Sequence, residues 1–244
     1  MTRTYLEIKN LKVQKEKITI LENINVLISS GEMVALVGPN GSGKSTLFRT
    51  LIGETSYSGE INYFNHNREK FKPRIGYVPQ KLQLEPDSPV SVLDLFGACL
   101  SKRPVWSGQS RKFKKNPKLD LAPIDINSLR GRRLGELSGG ELQRVLLTLA
   151  MDPTPDVLLL DEPFSAIDQN DSEALYKMVA DLACRLNMIT IIVSHELDLA
   201  AQYAQRVIFL NRTIQATGTP EEVIRNEKFK LAYKNLNVEN FIKH

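Results

Sequence analysis

Five apolar residues, Met33 to Val37, run without a break into Gly38-Pro39-Asn40-Gly41-Ser42-Gly43-Lys44-Ser45-Thr46. This passage constrains the fold more than any other in the chain. A short continuous apolar run reads as a buried strand. The three glycines behind it let successive backbone N–H groups converge on one anion with no Cβ in the way. A helix beginning near Lys44 points its positive end at the same place. The spacing G-x-x-x-x-G-K-[ST] therefore predicts a strand, a phosphate-binding loop and a helix, with Lys44 reaching the β/γ oxygens of a nucleotide and the Ser45 hydroxyl ligating Mg²⁺.

A phosphate loop alone does not separate kinases, GTPases and ATPases. Leu137-Ser138-Gly139-Gly140-Glu141 narrows the choice. A small hydroxyl and two glycines precede the amphipathic run Leu142 to Met151, which is the pattern of a second helix N-terminus with Ser138 at the cap. If the two anion sites lie far apart, one nucleotide cannot use both on a single chain. Two chains paired head to tail would share two ATP molecules.

Two further apolar runs end in chemistry. Val157 to Leu160 has the composition of a buried parallel strand and stops at Asp161-Glu162-Pro163. Ligands bind at the C-terminal edge of such sheets, so Asp161 is a candidate Mg²⁺ ligand and Glu162 a candidate to polarise an attacking water. Met188 to Val193 is the other strand, and it delivers Ser194-His195 to the same edge. A neutral imidazole offers one donor and one acceptor, which suits contact with a γ-phosphate oxygen.

With these residues in place the chain resembles the ATP-binding subunit of an ABC transporter, from Tyr5 to about Tyr233. Gly38 to Thr46 matches the Walker A loop, Leu137 to Glu141 the signature, and Leu158 to Glu162 the Walker B strand. Tyr77-Val78-Pro79-Gln80 matches the Q-loop, Ser165-Ala166-Ile167-Asp168 the D-loop, and His195 the switch histidine. The resemblance implies an α/β P-loop NTPase cassette with a mixed or parallel sheet core and an inserted helical subdomain. It also implies a sandwich dimer in which Gln80 joins Asp161 and Ser45 around Mg²⁺ and water. Ser138, Gly139 and Gly140 of one copy, with Glu141 beside them, would then cap the γ-phosphate held by the other.

The order of elements is compatible with that layout. Strands such as Tyr5 to Ile8 and Arg74 to Val78 accompany the helix Lys44 to Ile52, and no convincing strand lies between about 90 and 150. Helices are expected at Val90 to Leu100 and Leu142 to Met151. Alternation of strand and helix returns at 157, with helices at Asp171 to Arg185 and Glu196 to Ala204 and strands at Arg206 to Leu210 and Ile214 to Ala216. The expected division is a catalytic core of 1–89 and 151–218, a helical subdomain of about 90–150, and a short helical tail of 219–244.

Composition excludes little beyond this. A chain of 244 residues, 42% hydrophobic and 25% charged, suffices for one domain with an insertion. Cys99 and Cys184 stand in unrelated contexts without metal spacing, which fits a reducing compartment. No run approaches the ~20 apolar residues of a membrane span, and Met1-Thr2-Arg3-Thr4 is not a signal peptide. Given the resemblance, the transport path is expected in a separate integral-membrane permease, with this chain on the cytoplasmic face of the membrane.

Between Lys102 and Lys118 stand Lys102, Arg103, Arg111, Lys112, Lys114, Lys115 and Lys118 with no acidic residue. The segment reads either as a solvated loop or as a surface facing anionic lipid, where each basic group contributes ~1 kcal/mol. Trp106 and Phe113 make a poor platform for bases, and no nucleic-acid partner is expected. The alternative of a soluble ABC ATPase clamping nucleic acid or ribosomes is disfavoured, because the chain has neither a second cassette nor a long coiled coil.

Tyr77 to Leu82, Ser101 to Trp106 and Arg132 to Leu137 most resemble the ATPases of zinc and manganese uptake systems. The histidines are His66, His195 and His244 and form no ligand cluster, so metal selectivity is assigned to the membrane subunit and an extracytoplasmic binding protein. Some zinc-uptake ATPases end in a histidine-rich tail, whereas this chain ends Asn240-Phe241-Ile242-Lys243-His244, which leaves zinc against manganese, or another substrate, open. One departure from the family pattern concerns adenine. Lys15 stands where many ABC ATPases carry an aromatic residue that stacks on the base.

Overall fold

A computed structural model describes residues 3–80, 88–100, 128–165 and 167–234. The basic segment 102–118, the loop residues Lys81 and Leu82, Ala166 and the end of the tail lie outside the described residues.

The chain begins with two long strands, β1 (Tyr5–Lys15) and β2 (Ile18–Ser29), joined by a tight turn at Glu16-Lys17. Glu16 occupies the left-handed region at φ 56°, the conformation a glycine would normally supply. The sequence pattern ends the first strand at Ile8, but β1 continues to Lys15. Buried positions Leu6 and Ile8 are followed by Leu11 and Val13, so the side-chain parity changes once. The register shifts between Ile8 and Leu11, and Asn10 has φ 49°. An extra residue at an irregularity of this kind moves the apolar set from even to odd numbers, which a strict alternation test reads as the end of a strand.

After β3 (Met33–Val37) and α1 (Lys44–Leu51), β4 (Ser58–Phe64) returns to pair with β1. β1, β2 and β4 form a small antiparallel sheet in the order β2-β1-β4. The main sheet adds β5 (Ile75–Val78), β6 (Val157–Asp161), β7 (Ile189–Val193), β8 (Arg206–Asn211) and β9 (Thr213–Gly218) in the order β5-β6-β7-β3-β8-β9. Pairings from β5 through β8 are parallel, and β9 closes the edge antiparallel to β8.

Both faces of that sheet are covered, which is why its inner strands are near-continuous apolar runs, Thr190 in β7 being the polar residue inside one of them. Val34, Leu36, Leu159 and Ile191 pack with Leu6, Ile8 and Leu21 of the small sheet and Leu47 and Phe48 of α1. Ala35, Val37, Leu158 and Ile192 point the other way, toward α3 (Gly139–Ala150), α4 (Gln169–Leu186) and α5 (Leu197–Tyr203). Between β5 and β6 the chain makes α2 (Val92–Leu100), a 3-10 turn at Leu134–Glu136, and α3. Val92, Phe96, Leu129, Leu134 and Val145 form a separate small core there. No strand lies in the described part of 90–150.

Two short helices, α6 (Pro220–Arg225) and α7 (Glu227–Ala232), finish the described chain. They pack on the main sheet through an aromatic group in which Phe229 meets Phe209 at 5.3 Å and Tyr233 at 4.7 Å between ring centroids. No helix among the described residues is long and apolar enough to cross a membrane.

Candidate functional site

Strand order sets the site. Gln80, Glu162, His195 and the Gly38 to Thr46 loop follow the C-terminal ends of β5, β6, β7 and β3, which are consecutive neighbours. Val78 pairs with Leu160, and Asp161 with Val193, so these ends lie level. Adjacent strands are ~4.8 Å apart, so four segments distant in sequence meet at one edge.

The loop after β3 is shaped by its own chain. A Cβ at Gly38 would lie 2.1 Å from the Leu210 carbonyl oxygen and 2.7 Å from Ser42 Oγ, and one at Gly43 would lie 2.5 Å from Leu21 Cδ2. Gly43 also sits at φ 103°, where L side chains are strained. The Arg212 N–H donates to the Ser42 carbonyl at 3.0 Å and pins the loop to the far side. Gly43 is the N-cap of α1 and provides no side-chain cap. Ser42 Oγ is buried without a hydrogen-bond partner. Bare helix N–H groups and an orphaned hydroxyl are the donor set a phosphate would satisfy.

Lys44 is buried, and its Nζ donates to Gly38 O at 2.8 Å and Pro39 O at 3.2 Å. Burial lowers its pKa, against the opposing pull of the Glu162 and Asp161 charges. Ser45 Oγ lies 3.5 Å from Asp161 Oδ1. Desolvation raises the Asp161 pKa more than Ser45 and Lys44 lower it. A half-paired carboxylate and a hydroxyl side by side are hard oxygen donors of the type Mg²⁺ prefers.

Glu162 is held from both sides. Gln80 Nε2 donates to its Oε2 at 2.5 Å, and His195 Nε2 lies 2.7 Å from its Oε1. The sequence reading places Gln80 with Asp161 and Ser45, whereas the contact formed here is with Glu162. The Glu162 backbone stands at φ 49°, left-handed for a residue with a Cβ, and its N–H donates to the Val193 carbonyl at 3.1 Å. Strain at such a position costs on the order of 1 kcal/mol or more and collects at functional sites.

The Ser138–Gly140 turn stands apart. Ser138 caps α3 by accepting from the Glu141 N–H at 3.2 Å, and the Glu141 carboxylate accepts from the Ser138 N–H at 2.8 Å. This reciprocal cap lowers the Glu141 pKa, with a smaller push from Arg132. Arg132 Nη1 meets Glu141 at 2.7 Å and Nη2 donates to the Glu136 carbonyl at 3.0 Å. None of the hydrogen bonds or ion pairs described for Ser138, Gly139 or Gly140 reaches the Gly38 to Thr46 loop.

The family model described as ABC transporter matches residues 21–165, which run from the β2 strand through the phosphate loop and the Ser138 turn to Ser165. The chain belongs to the ABC transporter family. It is an ATP-binding cassette and an ATPase. The zinc import ATP-binding protein ZnuC of Ehrlichia chaffeensis is 34% identical over 225 residues, 92% of this chain and 87% of that protein. An ABC transporter ATP-binding protein from the ycf23-apcF intergenic region of Cyanophora paradoxa is 34% identical over 230 residues, covering 93% and 94%. Among solved structures, a metal-chelate type ABC transporter in an inward-facing conformation superposes with a TM-score of 0.78 at 24% identity, over 95% of this chain and 89% of that one. The cassette MJ0796, in a dimeric post-hydrolysis state with ADP and Pi, gives 0.70 at 23% identity over 88% and 98%. These last two likenesses speak for the cassette fold.

Several contacts of this cassette's site were not read from sequence, even where the residue itself was named. Tyr77 on β5 faces Asp161, and burial together with that charge pushes its hydroxyl up to about 12. Arg132 braces the signature turn although it lies outside the motif. Leu21 presses on Gly43, which puts the β1–β2 hairpin beside the phosphate loop. Lys15 pairs with Ile18 at the hairpin's end, and Ile18 is 65% exposed. A tight hydrophobic contact to a glycine and an exposed isoleucine at a turn carry no sequence motif, so only the assembled chain reveals them.

Proposed function

We propose that this cassette is the motor of a membrane importer for a divalent metal ion such as zinc or manganese, hydrolysing ATP as a head-to-tail pair on the cytoplasmic face of the membrane. The observation that carries the chemistry is Glu162 held between Gln80 and His195 beside the phosphate loop. Glu162 orients and deprotonates the water that attacks the γ-phosphate. His195 keeps the carboxylate aimed and contacts the γ-phosphate in turnover. Lys44 exchanges its loop carbonyls for phosphate oxygens, and Gly38 to Thr46 supply backbone donors. Ser45 and Asp161, joined by Gln80 when it leaves Glu162, are the residues that would hold Mg²⁺, which supplies charge neutralisation on the phosphates. Glu141 shapes the signature turn through the cap and does not touch phosphate, since its own charge would repel the anion.

The metal reading is supported by relatives named zinc import ATP-binding proteins over nearly the whole chain. An integral-membrane permease and an extracytoplasmic metal-binding protein are the partners it requires. Manganese, or a different substrate, stays beside zinc because the Cyanophora relative's name specifies no substrate. Vesicles carrying this chain with its integral-membrane permease are expected to take up Zn²⁺ or Mn²⁺ only with ATP. Vigorous ATP hydrolysis without uptake of either ion would remove the metal reading and leave the motor. The paired arrangement has its own test. Ser138→Arg and Lys44→Ala are each inactive alone, but a mixture regains activity, because in mixed pairs both defects fall in one composite site and the other is intact. A mixture as dead as its parts would refute shared sites.

A further inference from the structure

Beneath the Glu162–His195 contact lies a tyrosine that no motif includes. Tyr176, on α4, is 1% exposed, and its hydroxyl donates to Ser194 Oγ at 2.5 Å. Ser194 Oγ accepts in turn from the Glu196 N–H at 2.9 Å and lies 3.3 Å from the Glu196 carbonyl, to which it can donate. One hydroxyl thus uses its single donor and both acceptor sites within the three-residue turn whose middle residue is His195. Burial raises the Tyr176 pKa, so its hydroxyl stays a donor throughout the working range of pH.

The ring of Tyr176 reaches the other side of the site. It meets Phe164 edge-on at 5.1 Å, two residues beyond Glu162, and stacks on Tyr203 of α5 at 6.4 Å. One side chain therefore bears on the segments that follow both Glu162 and His195. A recess of about 30 Å³ has Glu162 and His195 in its wall together with Tyr176, Ser194 and Glu196. That is room for about one water. Without the hydroxyl bond the turn has space to relax into.

We infer that Tyr176 is a positioning residue, fixing the Ser194–Glu196 turn so that His195 stays at hydrogen-bond distance from Glu162. The inference rests on the assignment of His195 and Glu162 to hydrolysis. On this inference Tyr176 acts on the rate only through the imidazole. Misplacing a reacting group by about 1 Å can cost on the order of 100-fold, and a loosened turn should lose part of that.

The test is a set of ATPase measurements on the purified full chain. Tyr176→Phe keeps the ring contacts and removes only the hydroxyl. It is expected to lower kcat roughly tenfold with the KM for ATP unchanged within about twofold. Ser194→Ala breaks the same link from the other end and should match it, the double variant being no worse than either single one. It also carries the test if Tyr176→Phe does not fold. In a His195→Ala background either change should alter kcat by less than about twofold, because the group being positioned is gone. An equal loss in both backgrounds, or an unchanged kcat in the wild-type background, would overturn the inference and leave Tyr176 a packing residue. If His195→Ala itself left kcat unchanged, the site assignment would fall and the inference with it, a result distinguishable from the others.

Discussion

The starts of α1 and α3 are both glycine-flanked and both belong to motifs, yet the chain treats them oppositely. At α1 no side chain caps the helix, Ser42 Oγ is buried without a partner, and Gly38 is required by backbone only 2.1 Å from where its Cβ would be. At α3 Ser138 and Glu141 close a complete capping box braced by Arg132. A Cβ at Gly140 would meet nothing closer than 3.8 Å. The first site is unfinished in its donors and finished in its shape. The second is finished in its own hydrogen bonds, and nothing in its own chain demands that Gly140 lack a side chain. A glycine in the middle of a helix costs roughly 0.5–1 kcal/mol relative to alanine, an upper bound for Gly140 in the first turn of α3. The head-to-tail pair proposed above accounts for the use of glycine at Gly140, since there a second cassette would bring its nucleotide to that turn.

The largest expected effect breaks the chemistry and preserves both sites. Glu162→Gln keeps the shape of the side chain and loses its basic oxygen, so hydrolysis should fall by about 10²–10⁴ while ATP still binds. The trapped nucleotide should hold two cassettes together, visible as an ATP-dependent dimer in size-exclusion chromatography. Turnover at the wild-type rate would move the base elsewhere.

Paired glycine replacements test the contrast itself. Gly38→Ala forces a Cβ into the Leu210 carbonyl, so the melting temperature and ATP binding should both drop. Gly140→Ala should raise the melting temperature of the isolated chain, with a gain in stability of no more than about 1 kcal/mol, and still abolish hydrolysis. Retained hydrolysis in Gly140→Ala would mean that no partner packs against this turn.

A smaller effect is expected from Arg132→Ala. Its contact with Glu141 is an exposed ion pair, a kind that contributes little to stability, so melting should change little. ATP binding by the single cassette should be unaffected, because the contacts described for Arg132 go to Glu141 and Glu136 and none to the phosphate loop, whereas hydrolysis should fall as the signature turn loosens. The Glu141 carboxyl, held below its usual 4.5 chiefly by the Ser138 N–H, keeps the cap ionised at neutral pH. Its contribution is present above that usual value and fades as pH falls through the lowered one. An NMR titration of Glu141 in Ser138→Pro, which removes that N–H at a backbone φ of −61° that proline accepts, should show the carboxyl returning toward 4.5.

The smallest effect concerns the base. With Lys15 at the hairpin's end, GTP should bind nearly as well as ATP, and Lys15→Tyr should tighten ATP binding roughly five- to tenfold, about 1 kcal/mol. If calorimetry shows no change for either nucleotide, the exposed Ile18 on the paired strand becomes the surface on which adenine rests.

Legibility differed by element. The core strands were readable because both of their faces are covered, which makes Met33 to Val37 and Val157 to Leu160 apolar at every position and Met188 to Val193 apolar at all but Thr190. The small antiparallel sheet was poorly readable. β4 is exposed or half-buried along its whole length, and the irregularity near Asn10 changes parity in the middle of β1, so neither gives a clean two-residue period. Helix positions were found, but α3 begins at Gly139 because a capping box extends the helix back over glycines that propensity alone would leave outside.

By itself the sequence determined which residues can do chemistry. A phosphate loop is contiguous, its glycines are demanded by local backbone geometry, and acidic or imidazole side chains at the ends of apolar strands must emerge at a sheet edge. Only the tertiary structure decided which of them touch. Strand order, set by long-range pairing that no local pattern encodes, placed β5, β6 and β7 side by side and so put Gln80 and His195 on the two oxygens of Glu162. The same packing drove Tyr176 under the His195 turn, a contact between side chains 18 positions apart from Ser194 and invisible to any motif.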